Sequence, residues 1–429
     1  MRPHADGRFA PVKGEAWRES ARAAWLPFWS SRLVVFGVAI WVAYVGMPMG
    51  VQPDAVVLSH PFGGWPAGEF LDLIFSPLAK WDAQHYLAIA YDGYAEGHAG
   101  LPPIERRPAF FPLYPGIVHV LSGFGYSPAL VLLYAYAVSL ASFFGALAMI
   151  HRLAVLEIGE RYAGPALTLL AFFPASFFFG IPYTESLFLL LAAAAFLAAR
   201  TGHWALAGVA MALASATRAP GILLVVPVAL FYLYGPRADG EPRAKRGLRP
   251  RYPLRLDAAL MLLAPLGLVA FSLYLHYALG DAFAWQQAQE TFGRLGVDPF
   301  TGTWDSIREF GVAVGQAVSG GYREPVVDHW NILQFVFFVF ALVGGIALLR
   351  KLPVAYGAWV LVSLVPMLIS QAPVSPLWSA PRFVAVLFPL FFWLAVVCER
   401  RRATQTVVAL FAAAMALFVA QFTLWFFVA

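Results

Sequence analysis

Residues 80–115 read KWDAQHYLAIAYDGYAEGHAGLPPIERRPAFFPLYP. Lys80, Asp82, His85, Asp92, Glu96, His98, Glu105, Arg106 and Arg107 crowd into this stretch, with Trp81, Tyr86, Tyr91, Tyr94, Phe110, Phe111 and Tyr114 interleaved. On both sides the chain turns apolar. Ionisable groups packed among aromatics beside a bilayer suit a place where a polar headgroup is handled at the lipid surface. The stretch is therefore read as the working part, and the rest as its mounting.

That mounting is built for lipid. The chain is 60% hydrophobic and 12% charged, with a mean hydropathy of +0.69, where a soluble protein carries roughly 25% charged residues. The fold class expected is an all-α polytopic membrane protein. A single cysteine, Cys398, excludes an internal disulfide and a cysteine metal cage. No signal peptide is evident, because a mostly polar segment precedes the first apolar run. No nucleic-acid partner is expected.

Outward from the polar stretch, residues 1–32 form a basic cytoplasmic segment with the spacing of an amphipathic surface helix, and the first span runs from about 33 to 51. Residues 52–127 form a long outer loop inside a core region 33–234. Later apolar runs cover roughly 128–150, 163–181, 184–200, 203–217, 219–234, 257–278, 331–350, 353–371, 381–398 and 404–428. The basic linker 235–256 and the mixed loop 279–330 interrupt them, and 257–429 forms a second bundle. The run 110–126, FFPLYPGIVHVLSGFGY, is short and broken by prolines and glycines. Read as interfacial or re-entrant, it leaves eleven spans and puts 21 of the 29 Lys and Arg residues on the inner side with the N-terminus, as the positive-inside rule asks. Fifteen of the 24 acids then fall outside. The linker's plainest role is anchoring to anionic lipid. There is no repeat and no inverted duplication of broken helices, which weakens a transporter reading.

Each polar motif has a plain reading and a chemical one. Asp82 is an N-cap for a surface helix, or a carboxylate that takes a proton from an attacking hydroxyl. His85, one turn on, is an interfacial histidine or a second contact to the same ligand. Lys80, Arg106 and Arg107 snorkel to headgroups, or bind a phosphate, whose oxygens a guanidinium meets bidentately. In FFPASFFFGIPYTES (172–186) Pro174, Gly180 and Pro182 break regular helix and turn Tyr183, Thr184 and Glu185 toward an outer cavity. Thr184 is a plausible cap, but Glu185 is costly at the head of an apolar helix unless hydrated or paired. Arg218 in SATRAPG is likewise functional by default, and Arg382 in SPLWSAPRFVAVLFPLF is a third outer cation. The Trp, Gln and acidic side chains of 279–330 suit sugar hydroxyls and an interfacial helix equally. Zinc spacing, a Walker glycine loop and a GxSxG elbow are missing. Outer carboxylates suit a divalent ion, yet nothing in the spacing requires a metal or any other cofactor.

WDAQHYLAIAYDGY followed by AFFPLYP resembles the signature of the GPI mannosyltransferase II (PIG-V type) family, within the GT-C class of polytopic glycosyltransferases. FFPASFFFGIPYTESLFLL, GHWALAGVAMALASATRAPGILL, GDAFAWQQAQ and SAPRFVAVLFPLF are similar in the same order. The resemblance implies a GT-C fold with surface helices in a long first extracytoplasmic loop. It also implies inverting transfer of a mannosyl unit from a polyprenyl- or dolichyl-phosphate donor to a hydroxyl of a glycan or glycolipid, with Asp82 matching the class's general base. Lys80, Trp81, His85, Arg106, Arg107, Tyr183, Glu185, Arg218 and Arg382 are the expected substrate-binding residues. Ala/Leu/Gly-rich spans suggest a bacterial homologue in the plasma (inner) membrane with its site on the extracytoplasmic face, or the endoplasmic reticulum membrane in a eukaryote. A small membrane subunit is an open partner. The rivals are a transferase for another polyprenyl-phosphate sugar and a lipid-linked glycan flippase. The flippase predicts polar groups along mid-helix positions, whereas here they gather on one rim.

Overall fold

The computed structural model describes residues 14–46, 61–97, 101–244, 249–320, 325–373 and 375–428. His98, much of the first outer loop before residue 61 and four residues of the basic linker lie outside them. A single long helix, α1 (Gly14–Val45), opens the chain. The outer loop contains α2 (Gly68–Phe75), α3 (Asp82–Asp92) and α4 (Leu113–Leu121), with 3-10 turns at Ser76–Leu78 and Ile104–Ala109. Next come α5 (Pro128–Ile158), α6 (Glu160–Phe172) and a 3-10 segment, Pro174–Gly180. α7 (Glu185–Thr201), α8 (Trp204–Thr217), a 3-10 segment at Ala219–Leu224 and α9 (Val225–Tyr234) complete the first half. The second half holds a 3-10 segment Leu256–Leu263, then α10 (Leu266–Leu279), α11 (Ala284–Glu290), α12 (Pro299–Ser319), α13 (Pro325–Lys351), α14 (Val354–Ile369), α15 (Ala380–Ala385), α16 (Pro389–Arg400) and α17 (Thr404–Thr423).

Local chemistry explains the joints. Ser127 accepts from Leu130 N–H at 3.3 Å and Pro128 occupies the first turn of α5, a cap and a proline where each is favoured. Gly202 ends α7 at φ 79°, a left-handed conformation that glycine takes at no steric cost. Gly221 has a different reason, since a Cβ there would sit 2.3 Å from the Ala214 carbonyl. α5 packs against α1, α6 and α7 and runs through the centre of the first half.

Four helices among the described residues are long and apolar enough to cross a bilayer: Gly14–Val45, Pro128–Ile158, Trp330–Lys351 and Thr404–Thr423. Two bent pairs, at 83° (Glu160–Phe172 with Pro174–Gly180) and 42° (Leu256–Leu263 with Leu266–Leu279), raise the number to six. The eleven full spans expected are thus not what length and composition support. Glycine and proline joints cut the other apolar runs into helices below the ~20 residues a crossing needs. α4 has only 9 residues, so the run 110–126 contains no helix of spanning length.

Two expected boundaries also change. α1 passes without a break through residue 32, and Arg32, counted among the inner charges, is buried within it. Its Nη1 donates to the Ser176 carbonyl at 2.9 Å, and its guanidinium lies 4.8 Å from the Phe143 ring centre. It therefore satisfies backbone freed where the chain bends after α6. In the basic linker, Arg237 is folded inward among Trp204, Tyr232 and Tyr252, at 4.5 to 5.0 Å from their ring centres, and pairs with Asp239 at 2.8 Å. Anchoring to lipid does not describe this arginine.

Among the described residues one small sheet ties two distant loops. β1 (Leu295–Gly296) pairs antiparallel with β2 (Ser370–Gln371), Leu295 opposite Gln371. It holds the segment after α11 against the segment before α15.

Candidate active site

The site begins with an abrupt helix start. Trp81 precedes α3 with φ 57° and ψ −123°, a conformation unfavourable to a bulky L-residue. It is held from both sides. Its ring meets Phe427 at 5.2 Å and Trp425 at 5.8 Å, and the Tyr183 hydroxyl braces the flanking backbone. That hydroxyl accepts from Asp82 N–H at 3.2 Å and donates to the Lys80 carbonyl at 3.1 Å. Tyr183 comes from the extended stretch after the broken helix, so the break seen in FFPASFFFGIPYTES is what aims it.

With its N–H satisfied by Tyr183, Asp82 is the first helical residue, and no side chain caps α3. The carboxylate turns to Arg382, with Oδ2 2.5 Å from Nη1. Arg382 Nε lies 3.3 Å from Glu185 Oε1, and the same oxygen is 2.5 Å from Arg218 Nη1. Asp82, Arg382, Glu185 and Arg218 thus form one alternating row of charges drawn from α3, α15, the start of α7 and the end of α8. Glu185 is 1% exposed and Arg382 8%, so the expense of a carboxylate at the head of an apolar helix is met by two guanidinium groups. Thr184 does not cap α7; its Oγ1 lies 3.2 Å from the Tyr86 hydroxyl.

A fifth charged member was missed in the sequence. Arg294, just before β1, feels Arg382, Asp82 and Arg218 electrostatically. The guanidinium carbons of Arg218, Arg382 and Arg294 lie 5.0, 5.6 and 5.7 Å from the centre of one ring, Phe383. Arg294 was visible as one of the outer cations, but its loop offered no helical period by which to place it.

These neighbours set the charge states. Burial pushes the Asp82 carboxyl up, but Arg382, helped by His85 and Arg294, more than offsets it and holds the group below the usual carboxylate range. Burial pulls Arg294 down to about 10. His85 lies flat on Phe110 with ring centres 4.5 Å apart, and Phe292 meets its edge at 5.6 Å. Burial pulls it down to about 4, so a neutral imidazole stands one turn from Asp82. Its Nδ1, Trp81 Nε1 and Glu185 Oε2 are buried without a hydrogen-bond partner among the described residues.

Other expected site residues go elsewhere. Lys80, pulled down to about 8 by burial, donates to the Thr423 carbonyl and lies 4.7 Å from the Trp425 ring centre. Its charge serves the negative end of α17. Arg107 is buried and donates to the carbonyls of Gly93 at 2.8 Å and Glu96 at 2.6 Å, tying down the turn after α3. Arg106 is exposed with its guanidinium 5.5 Å from the Phe292 ring centre, at the rim of the His85 pocket. No three His, Cys, Asp or Glu side chains converge as metal ligands among the described residues.

No curated protein matches the chain. Two solved structures of the Archaeoglobus fulgidus oligosaccharyltransferase are similar to it, one in complex with Zn and sulfate and one in the apo form. Identities are 14% and 12% and TM-scores 0.39 and 0.40. The alignments cover 91% and 92% of this chain but 53% and 54% of those chains, so it spans about half their length. Residues 64–234, which include Asp82, His85, Tyr183, Glu185 and Arg218, match the family described as Mannosyltransferase (PIG-V), and this match supports a glycosyltransferase.

Proposed function

We propose that the chain is an inverting mannosyltransferase of GT-C type, taking its sugar from a polyprenyl- or dolichyl-phosphate-mannose donor. The acceptor is a hydroxyl of a glycan or glycolipid at the extracytoplasmic face, with the N-terminus cytoplasmic and, for a bacterial chain, the protein in the inner membrane. The observation that carries this reading is the row Asp82–Arg382–Glu185–Arg218, buried at its middle and open at both ends, in which one end is a carboxylate and the rest is cationic overall.

A lipid phosphate already activates the sugar, so the protein has two tasks. It must take the acceptor's proton and stabilise charge on the departing phosphate. Asp82 is ionised at neutral pH and suits the first task. Its proton affinity is low while Arg382 holds it, which fits a glycosyl transition state of oxocarbenium character in which the proton leaves late. As the acceptor oxygen bonds to the anomeric carbon, the bond from that carbon to the phosphate oxygen breaks. The bonding pair goes to the phosphate and the proton to Asp82. Arg218 and Arg382 answer the new anionic charge, and neutral His85 offers a hydrogen bond to the acceptor or sugar without a competing charge.

Purified wild type and Asp82→Asn, assayed with labelled polyprenyl-phosphate-mannose and a panel of other polyprenyl-phosphate sugars, test this. Mannose transfer by wild type and its loss in the variant are expected. Normal transfer by Asp82→Asn refutes the role of the carboxylate, and wild-type preference for another sugar corrects the donor.

A further inference from the structure

We propose that Arg294 is the primary ligand for the phosphate of the lipid-linked donor, with Arg218 and Arg382 recruited to that phosphate as it leaves. The identity of the anion rests on the function proposed above; the anion site itself rests on geometry. In the resting site Arg218 and Arg382 are already paired with Glu185 and Asp82. Among the described residues Arg294 has no carboxylate partner within ion-pair distance; its closest polar contacts are long, Nη2 to the Trp378 carbonyl at 3.4 Å and to Ser379 Oγ at 3.5 Å. Half-buried among two other guanidinium groups on one aromatic ring and with no acid of its own, Arg294 is a cation to which an anion can bind with the repulsion relieved.

Charge counting makes the point sharper. Three guanidinium groups against two carboxylates leave one positive charge uncompensated. A donor phosphodiester carries one negative charge and closes the balance. During transfer the leaving phosphate gains a second negative charge, while Asp82 takes the acceptor's proton and becomes neutral. That releases Arg382 from Asp82, leaving it only the longer contact to Glu185, at the moment the phosphate needs it, and the balance closes again. The β1–β2 pairing holds the loop of Arg294 to the segment before α15, which carries Arg382, so the two cations need not be brought together by the ligand. Preorganised charge of this kind costs no rearrangement at the transition state.

The test uses the full chain in lipid nanodiscs. Binding of polyprenyl phosphate, polyprenol, inorganic phosphate and phosphatidylglycerol is compared for wild type, Arg294→Gln, Arg294→Lys and, as an exposed charge control, Arg308→Gln. Wild type should bind polyprenyl phosphate well ahead of polyprenol. Arg294→Gln should lose about tenfold or more, the scale of one charge-assisted contact, with Arg294→Lys recovering part of it and Arg308→Gln unchanged. Partial recovery by lysine and an unchanged elution profile separate lost binding from misfolding. Equal weakening of polyprenyl phosphate and phosphatidylglycerol supports the phosphate site and shows that it also accepts bulk lipid headgroups. Arg294→Gln binding no worse than Arg308→Gln overturns the proposal. Wild type that binds through Arg294 yet transfers no mannose refutes the mannosyltransferase reading alone.

Discussion

Replacing Arg382 by glutamine should destabilise the protein in a way that depends on pH. The Asp82–Arg382 contact is 2.5 Å, with side chains 22% and 9% exposed. For charge centres about 4 Å apart at an effective dielectric near 20, the gross attraction is about 4 kcal/mol. Removing one member strands the other, so a net loss of about 3 kcal/mol is expected. At about 1 °C per kcal/mol for a chain of this size, the melting temperature should fall by roughly 3 °C. The pH dependence follows from the sign. With its pKa depressed in the folded state, Asp82 contributes stability above the unfolded carboxylate value, and that contribution is lost as pH falls through the folded value. In Arg382→Gln the main lowering influence is gone and burial pushes the carboxyl up. The variant's carboxylate then destabilises at neutral pH and is relieved on acidification. The melting-temperature gap between wild type and variant should be widest at pH 7 and shrink toward pH 4. In a double-mutant cycle, Asp82→Asn should recover part of the loss in Arg382→Gln. A gap that stays constant across that range, with the two substitutions additive, would refute the buried pair.

Four further outcomes are expected. Tyr183→Phe removes both bonds that brace Lys80 and Asp82; stability should fall by about 1–2 kcal/mol, and turnover should fall more than donor affinity, read as a kcat loss at near-constant KM. Because His85 is pulled down to about 4, the pH–rate profile should show no inflection near the ordinary histidine value of about 6.5 that His85→Asn abolishes. Arg107→Ala strips the turn after α3 of its carbonyl partner, so its main effect should be a lower melting temperature, by an unfolding free energy of about 3 kcal/mol. Gly221→Ala should lower expression and melting temperature, since its Cβ has no room beside Ala214.

The charged row was largely legible because its members are costly where they stand. Glu185, Arg218 and Arg382 each occupy the edge of an apolar run, and the energetics of ionised groups near lipid mark such positions before any contact is known; Asp82 stands in the polar outer loop and stood out through the family resemblance. Tyr183 was legible through the proline and glycine break that presents it. The pairing was not legible: Asp82 and Arg382 are 300 residues apart, and no local pattern encodes that distance. Lys80 looks like Arg218 in composition, and only the packing separates a cation that caps backbone from one that meets carboxylates; Arg107 does both, holding the carbonyls of Gly93 and Glu96 and lying 3.9 Å from Asp92. Apolar length marked the helices that are apolar enough for a bilayer, but it could not distinguish one full crossing from helices broken at proline and glycine.

Trp81 and Lys80 lean on residues 423–427. Lys80 reaches a carbonyl 343 residues ahead, and Trp81 meets Trp425 and Phe427 edge to face. Translation delivers these partners long after Asp82. The segment around Asp82 therefore emerges, and waits, without the aromatic wedge that holds its unfavourable backbone and without the arginine that neutralises its carboxylate. The charged row needs nothing beyond residue 382, but the backbone that presents Asp82 is braced by residues 423–427, so a nascent chain stalled between the two carries every charge of the row on an unbraced turn.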